Sequence, residues 1–492
     1  ERLEGDDDRA AGGVGSVPAP ATAHFQLRIV SPVARICNLC KGFSSVTQAA
    51  GSITAQLDTN HGAPSRWAVT LRALRHRNFQ FFFGGQIISL TGTWMQSVAQ
   101  AWLVYSITKS SFLLGAVGFA SQIPVFLLAP VGGTVADRTN RHRLIVATQA
   151  ASLVLAAILA WLTLSHRVQV SHIFILAALL GAVNAFDIPG RQSFLVDMVG
   201  KEDLMNAIAL NSSIFNGARV IGPAVAGILV AKIGEGWCFA LNAVSYIAVI
   251  VGLLLMKVHC ERRGSNNSPL ADIVEGFRWV NGTKVIRALL LLIGLVSLVG
   301  MPYTVLMPIF ADQILHGGAR GLGILMGATG VGALLGALTL AAKTGVKGLG
   351  RWVAMTCAAF GVSIILFSFS RNFWLSVALL LPSGFAMMLQ MACSNTLIQT
   401  MVPDQLRGRV MALYSMMFMG MAPIGALCGG ALAHRIGAPI TIAIGGVACI
   451  AGAIWFGRML PAMRIEARRL IVAQGMAGGE PAQELNAQPV EK

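Results

Sequence analysis

The chain has 492 residues, 55% hydrophobic and 12% charged, with a formal net charge of +16. A soluble protein has roughly a quarter of its residues charged, so this balance excludes a soluble globular domain and points to a membrane. The basic excess does not mark a nucleic-acid binder, because Lys and Arg stand between apolar blocks instead of lining one stripe.

Residues 1–65 are mixed, rich in Ala, Gly and Ser, and hold no apolar run long enough to span a bilayer; they read as a disordered leader. Cys37 and Cys40 form a lone CxxC there. Without a second pair or a nearby His set, neither a zinc nor a redox site is expected. Runs free of Asp, Glu, Lys and Arg then fall at 78–108, 110–136, 144–165, 168–186, 236–256, 288–311, 321–342, 352–370, 372–403, 410–434 and 436–457. A further apolar segment, 204–231, is broken only by Arg219. A bilayer core of about 30 Å takes roughly 20 residues per helix. The expectation is an all-α membrane protein with twelve spans, in which the six other cysteines are packing residues.

Cytoplasmic loops retain Lys and Arg. With the N-terminus inside, the inner segments hold 23 of these residues, and the outer loops hold only Lys109, Arg167, Lys232, Arg320, Arg371 and Arg435. Both termini are therefore expected in the cytoplasm.

The stretch "GGTVADRTNRHR", Gly132 to Arg143, joins spans 2 and 3 on the inner side. Topology alone explains its basic residues but not its glycines or its acid. Gly132 and Gly133 let span 2 approach a neighbour, and Asp137 at the rim can accept from the N-terminus of a facing helix. Few ionisable groups lie deeper: Asp187 and Arg191 in span 4, and Arg219 in span 5. Such groups are costly in a bilayer and call for a partner or a function. Asp187 and Arg219 have similar depth and could pair, making Asp187 either a proton carrier tuned by Arg219 or half of a structural clamp. Span 5 also carries "NGARVIGPAVAG", with Gly217, Gly222, Pro223 and Gly227; Pro kinks a helix and small residues permit close packing.

An internal repeat organises the chain. Sliding it by 203 residues without a gap brings Met198, Val199, Ala209, Leu210, Gly217, Gly222, Gly227, Ile233 and Gly234 onto their own residue types. Duplication divides the chain into a leader and N-terminal segment, 1–77; a six-span half, 78–258; a linker, 259–284; a second half, 285–460; and a cytoplasmic tail, 461–492. In the linker, Leu270, Ile273, Val274, Phe277 and Val280 recur at helical spacing after Ser268 and Pro269. They predict a short amphipathic helix, on the inner membrane surface or under the bundle. Polar groups suited to a cavity between the halves are Trp94, Gln96 and Gln100 in span 1, Tyr303 in span 7, Gln390 and Asn395 in span 10, and Tyr414 in span 11. Gln96, Gln100 and Gln390 lead this set, and methionines around Met387 to Met421 suit a varied ligand. No paired acids, His cluster or nucleophile with its base marks an enzyme, no charged ring marks a channel, and no P-loop binds ATP. Neither a cofactor nor a metal is expected.

The stretch from Gly132 resembles the loop signature G-x-x-x-D-R-x-G-R-[RK] of the major facilitator superfamily. Gly133, Asp137, Arg138 and Arg141 match, while Asn140 replaces the glycine and His142 the last basic residue; Asn tolerates the left-handed conformation such a turn would use. The resemblance implies two six-helix halves that rock about a central site. It also implies that Asp137 latches onto the start of span 11, "DQLRGRV", with Arg141 and Asp197 as partners, holding the inner face shut. The span 5 stretch resembles the Gly-Pro signature of the superfamily's exporters, which is associated with antiport, although a kink alone accounts for the same residues. Over about residues 70–460 the chain resembles the branch that includes the enterobactin exporter and macrolide efflux proteins. That implies a protein of the bacterial cytoplasmic membrane, whose partners are the lipid bilayer, a small amphipathic or aromatic substrate, siderophore or drug-like, and protons; the sequence does not fix the oligomeric state, and a monomer is the expectation. An importer, a lipid flippase or a transporter-derived receptor on the same scaffold remain the alternatives.

Overall fold

A computed structural model describes residues 71–473 except 201, 257–268, 344 and 347; the leader with Cys37 and Cys40, part of the linker and residues 474–492 lie outside the described residues. The chain between is helical. It runs α1 (Arg77–Thr108), α2 (Ser111–Arg138), α3 (Arg141–Leu164), α4 (Val170–Val199), α5 (Leu204–Ile233) and α6 (Glu235–Leu254). The linker helix α7 (Pro269–Gly282) follows, then α8 (Lys284–Ile314), α9 (Gly318–Ala341), α10 (Leu349–Phe369), α11 (Phe373–Met401), α12 (Asp404–Ile436) and α13 (Ala438–Ala473). The last helix continues beyond the apolar run that ends at 457.

Eleven of these helices are long and apolar enough to cross a membrane. The exception among the long ones is α1, whose 32 residues suffice in length. Gln80, Gln86, Gln96 and Gln100 dilute its hydropathy, so a test for acids and bases alone sees a span where a hydropathy test does not.

Local chemistry sets the breaks. Ser110, Asn140 and Asn372 each cap the following helix by accepting from a backbone N–H three residues on, at 3.4, 3.1 and 3.1 Å. Asn140 is thus extended, at φ −70° and ψ 109°, and does not take the left-handed turn its place in the motif suggests: its side chain does more as a cap. Gly234 (φ 89°) and Gly437 (φ 87°) turn the chain between α5 and α6 and between α12 and α13, a left-handed geometry that glycine adopts freely. Within α8 and α12 the ladder is interrupted by π-helical turns at Val296–Gly300, Phe310–Ile314 and Met416–Gly420, features that bend a helix and recur at functional sites.

Among the first six helices, α2 packs on α4, α3 on α6, and α1 on α5 and α6. Among the last six, α9 packs on α11, and α10 on α11 and α13. The most extensive contacts between these groups are α5 with α9 and α2 with α12. Both meet through glycine: a Cβ on Gly227 would stand 2.9 Å from Cα of Gly323, and one on Gly430 would stand 2.8 Å from Cα of Gly115. Without water to drive association, close backbone packing of this kind is what holds membrane helices together.

Gly323→Leu is therefore expected to force α5 and α9 apart and to lower the melting temperature of the purified protein by about 2 °C or more, the scale of an overpacked core. Gly217, where an added Cβ would meet nothing within 4 Å, serves as the contrast: Gly217→Ala should melt at or above the parent temperature. Equal melting of the Gly323→Leu protein and the parent would remove the packing role.

Candidate functional site

At the end of the bundle carrying the α2–α3 turn, Arg141 is buried and bonds Asp197 of α4 with Nη1 at 3.0 and 3.3 Å. Gly132 lies against the α4 backbone at Ala185, whereas Gly133 faces open space and Arg138 is exposed. Asp137 falls in the last turn of α2, and its side chain lies outside the described residues. The expected latch of Asp137 onto the start of α12 therefore falls outside the described residues. Arg141 and Asp197 both belong to the first six helices. At the start of α12, Asp404 pairs with Arg407 at 2.5 Å, and Arg409 pairs with Glu275 of α7 at 2.6 Å. The pair with Glu275 ties α7 to α12, while Val274 and Phe277 stay exposed.

Deeper in the first group, Asp187 is 1% exposed. Its carboxylate accepts from Thr148 Oγ1 at 2.7 Å, from Gln149 Nε2 at 2.9 Å and from Arg191 one turn along α4. Arg191 also donates to Gln86 of α1 at 2.7 Å. Asp187 is thus paired with Arg191, and the pair with Arg219 expected from depth alone is absent: on α4 an i,i+4 partner is always within reach, while a partner on another helix depends on rotation that spacing does not reveal. The result is a brace joining α1, α3 and α4.

Arg219 stands midway along α5, half-buried. Its guanidinium lies over the Trp94 ring, 5.7 Å from the centroid, and Trp94 meets Phe215 edge-on at 5.8 Å. Among the described residues no carboxylate comes within ion-pair distance of it. An unpaired Arg at a helix centre costs roughly 2.5–3.5 kcal/mol on an insertion scale, and a cation–π contact returns about 0.5–2 kcal/mol, so Trp94 offsets only part of the cost. Tyr303 of α8 lies within electrostatic reach of Arg219, beside Thr329 of α9 and Ser383 of α11. Its hydroxyl and that of Ser383 are buried without a hydrogen-bond partner of good geometry. Trp94, Arg219 and Tyr303 are therefore brought together, from α1, α5 and α8.

The other expected cavity residues separate. Gln96 is buried and accepts from Asn242 of α6 at 2.7 Å, which makes it a packing residue. Gln100 is half-buried. Gln390 is 1% exposed, with both amide atoms unpaired. Asn395 lines a polar cavity of about 220 Å³ with Thr396, Gln399, Thr400 and Arg407, while the Tyr414 hydroxyl donates to the Met391 carbonyl at 3.3 Å. A larger groove of about 640 Å³ between α3 and α4 is walled by Thr148 and by Ala, Val, Leu and Phe side chains and does not reach Arg219.

One cluster escaped the sequence. At the end opposite the α2–α3 turn, Lys109 Nζ meets Asp312 Oδ2 at 2.9 Å, and the Tyr105 hydroxyl donates to the same oxygen at 3.1 Å. It ties α1 to α8. Lys109 is the single residue between two charge-free runs and Asp312 the first after another, so each reads as an ordinary span end; the only signal was their matching position at the ends of equivalent spans.

The transmembrane secretion effector family matches residues 68–487. The staphyloferrin A transporter of Staphylococcus aureus is 27% identical over 75% of this chain and 93% of its own. The enterobactin exporter EntS of Shigella boydii is 25% identical over 82% and 96%, and the multidrug efflux pump Tap of Mycolicibacterium fortuitum is 26% identical over 70% and 87%. Among solved structures, the nucleoside transporter NupG aligns with a TM-score of 0.59 at 13% identity, over 80% of this chain and all of that one. Family and relatives are transporters, not enzymes, and the chain belongs to the transmembrane secretion effector family of the major facilitator superfamily.

Proposed function

We propose that the protein is an exporter of a small amphipathic or aromatic molecule, siderophore or drug-like, working by alternating access in the bacterial cytoplasmic membrane and driven by proton antiport. In this reading α1 is the twelfth span, α1–α6 and α8–α13 are the two halves, both termini are cytoplasmic, and the working unit is a monomer. The observation that carries it is the equivalence of the two linking contacts. Gly227 and Gly430 are one 203-residue repeat apart. A Cβ on Gly227 would meet Gly323 Cα and the Ala319 carbonyl, and one on Gly430 would meet Gly115 Cα and the Ser111 carbonyl. The same four-residue step recurs on each partner helix, as a pseudo-twofold axis along the membrane normal requires.

With the positive loops taken as cytoplasmic, the α2–α3 turn lies on the inner side in this reading. These glycine contacts and the Lys109–Asp312 bridge then lie toward the outside. That arrangement suits a transporter closed outside and accessible from within, the state in which an exporter loads. The similarity to the staphyloferrin A transporter, EntS and Tap supports a siderophore or drug-like substrate.

Proteoliposomes carrying a pH dye test the coupling with siderophores, macrolides and cationic dyes. Substrate addition should move protons, and Asp187→Asn should abolish the movement, either as carrier or because the brace fails. Breaking a buried pair costs about 3–5 kcal/mol, so a failing brace is recognised by a lowered melting temperature, and a carrier by uncoupled flux at normal stability. Substrate transport without proton movement would overturn antiport.

The outer bridge has its own test. Lys109→Asp alone should lower flux about two- to fivefold, the scale of a partly exposed ion pair, and adding Asp312→Lys should restore most of it. No recovery in the exchanged pair would deny the bridge a role in closing the outer end.

A further inference from the structure

We infer that Arg219, Trp94, Tyr303 and Ser383 form a binding site for an anion, a carboxylate or phenolate borne on an aromatic or apolar body, at the middle of the membrane between the two groups of helices. The inference deepens the proposed export function and rests on it for the statement that the anion is cargo.

The donor inventory leads there. The Arg219 guanidinium is a donor without acceptor capacity, and its only described companion is the Trp94 face at 5.7 Å. The acid of similar depth, Asp187, is already held by Arg191, Thr148 and Gln149. On the facing helices stand two hydroxyls: Tyr303, 1% exposed and within electrostatic reach of Arg219, and Ser383, 0% exposed and beside Tyr303; neither makes a hydrogen bond of good geometry. A planar fork and two hydroxyl donors, with no carboxylate at ion-pair distance of the guanidinium among the described residues, suit an oxyanion. A guanidinium grips a carboxylate with two parallel bonds, and each hydroxyl can add a third or fourth donor. Trp94, with Phe215 against it at 5.8 Å, supplies the apolar wall for the rest of the molecule.

Placement gives the site its use. Arg219 and Trp94 come from α5 and α1, Tyr303 and Ser383 from α8 and α11, so a bound anion touches both groups at once. Close to it the helices are in backbone contact: a Cβ on Gly330 would stand 2.9 Å from the Arg219 carbonyl oxygen. Movement of one group against the other separates the guanidinium from the hydroxyls. The site would be complete only when the two groups are approximated around it.

The test uses the full chain in nanodiscs of phosphatidylcholine, with two fluorescent probes of one shape and opposite charge, 1-pyrenebutyrate and 1-pyrenemethylammonium. Equilibrium dialysis against empty nanodiscs subtracts partitioning into lipid. The parent should bind the anion more tightly than the cation. Arg219→Gln should weaken the anion about tenfold or more and leave the cation unchanged or tighter, with Arg219→Lys between, as loss of a charge-assisted bond predicts. Tyr303→Phe and Ser383→Ala keep the guanidinium and should each cost about threefold, the scale of a neutral hydrogen bond; they carry the test if Arg219→Gln is not monodisperse. Anion affinity unchanged in these variants, a parent that prefers the cation, or a parent that binds neither probe overturns the site. Flux is read separately in proteoliposomes. Anion binding through Arg219 without transport keeps the site and sinks the export reading; cation export indifferent to Arg219→Gln does the reverse.

Discussion

A hydrocarbon core solvates no charge, and that one constraint orders most of what this chain does with its few ionisable side chains. Each buried charge must find its partner inside the protein or stay idle at a cost. Asp187 illustrates the first outcome: three donors from α3 and α4 satisfy it, and Arg191 carries the connection on to Gln86 of α1. Since removing one member leaves the others stranded, such a network defines how three helices are rotated about their axes, which Leu and Val side chains alone leave open. Arg219 illustrates the second outcome, and its lack of an acid among the described residues is the feature that a packing role explains least.

The same constraint explains why helices meet through glycine. Lipid tails are as apolar as leucine, so association relies on close approach of backbones. Where α5 meets α9 and α2 meets α12, glycine faces glycine. A smooth contact of that kind has little to break when helices slide or tilt, in contrast to the interlocked brace around Asp187. The buried polar brace thus lies within the first group, while the main contacts between groups are of small residues, with the partly exposed Lys109–Asp312 bridge beside them. The repeat makes the division sharper: 203 residues beyond Asp187 stands Gln390, equally buried and uncharged. One group has an ionic brace, and its counterpart at that position has an amide.

Much of this was legible in the sequence because hydrophobic length and charge placement are one-dimensional properties. Charge-free runs located the long helices, and the repeat located the equivalent turns at Gly234 and Gly437. What sequence reasoning misplaced were properties of rotation about a helix axis. Depth matched Asp187 to Arg219, but the side chains point to different neighbours. Gln96 sits at cavity depth yet turns toward Asn242. Asn140 occupies a motif glycine and serves instead as a helix cap. Charge-run counting also hid the Lys109–Asp312 bridge, because a residue that ends a span is indistinguishable from loop until its counterpart is known.

The distribution of ion pairs along the membrane normal has a mechanical consequence. At the α2–α3 end, Arg141 with Asp197 joins α3 to α4 within the first group, and Arg409 with Glu275 joins α12 to the linker helix α7. At the other end, Lys109 with Asp312 joins α1 to α8 across it. The latter pair is partly exposed, so its net worth is on the order of 1 kcal/mol or less. A bridge that weak can bias a two-state equilibrium without locking it, since a tenfold population ratio corresponds to about 1.4 kcal/mol. A ligand that spans both groups at mid-depth could outweigh it. The more deeply buried pairs, Arg141 with Asp197 and Asp187 with Arg191, lie within the first group and favour its rigidity, and the weaker pair lies where the groups must part.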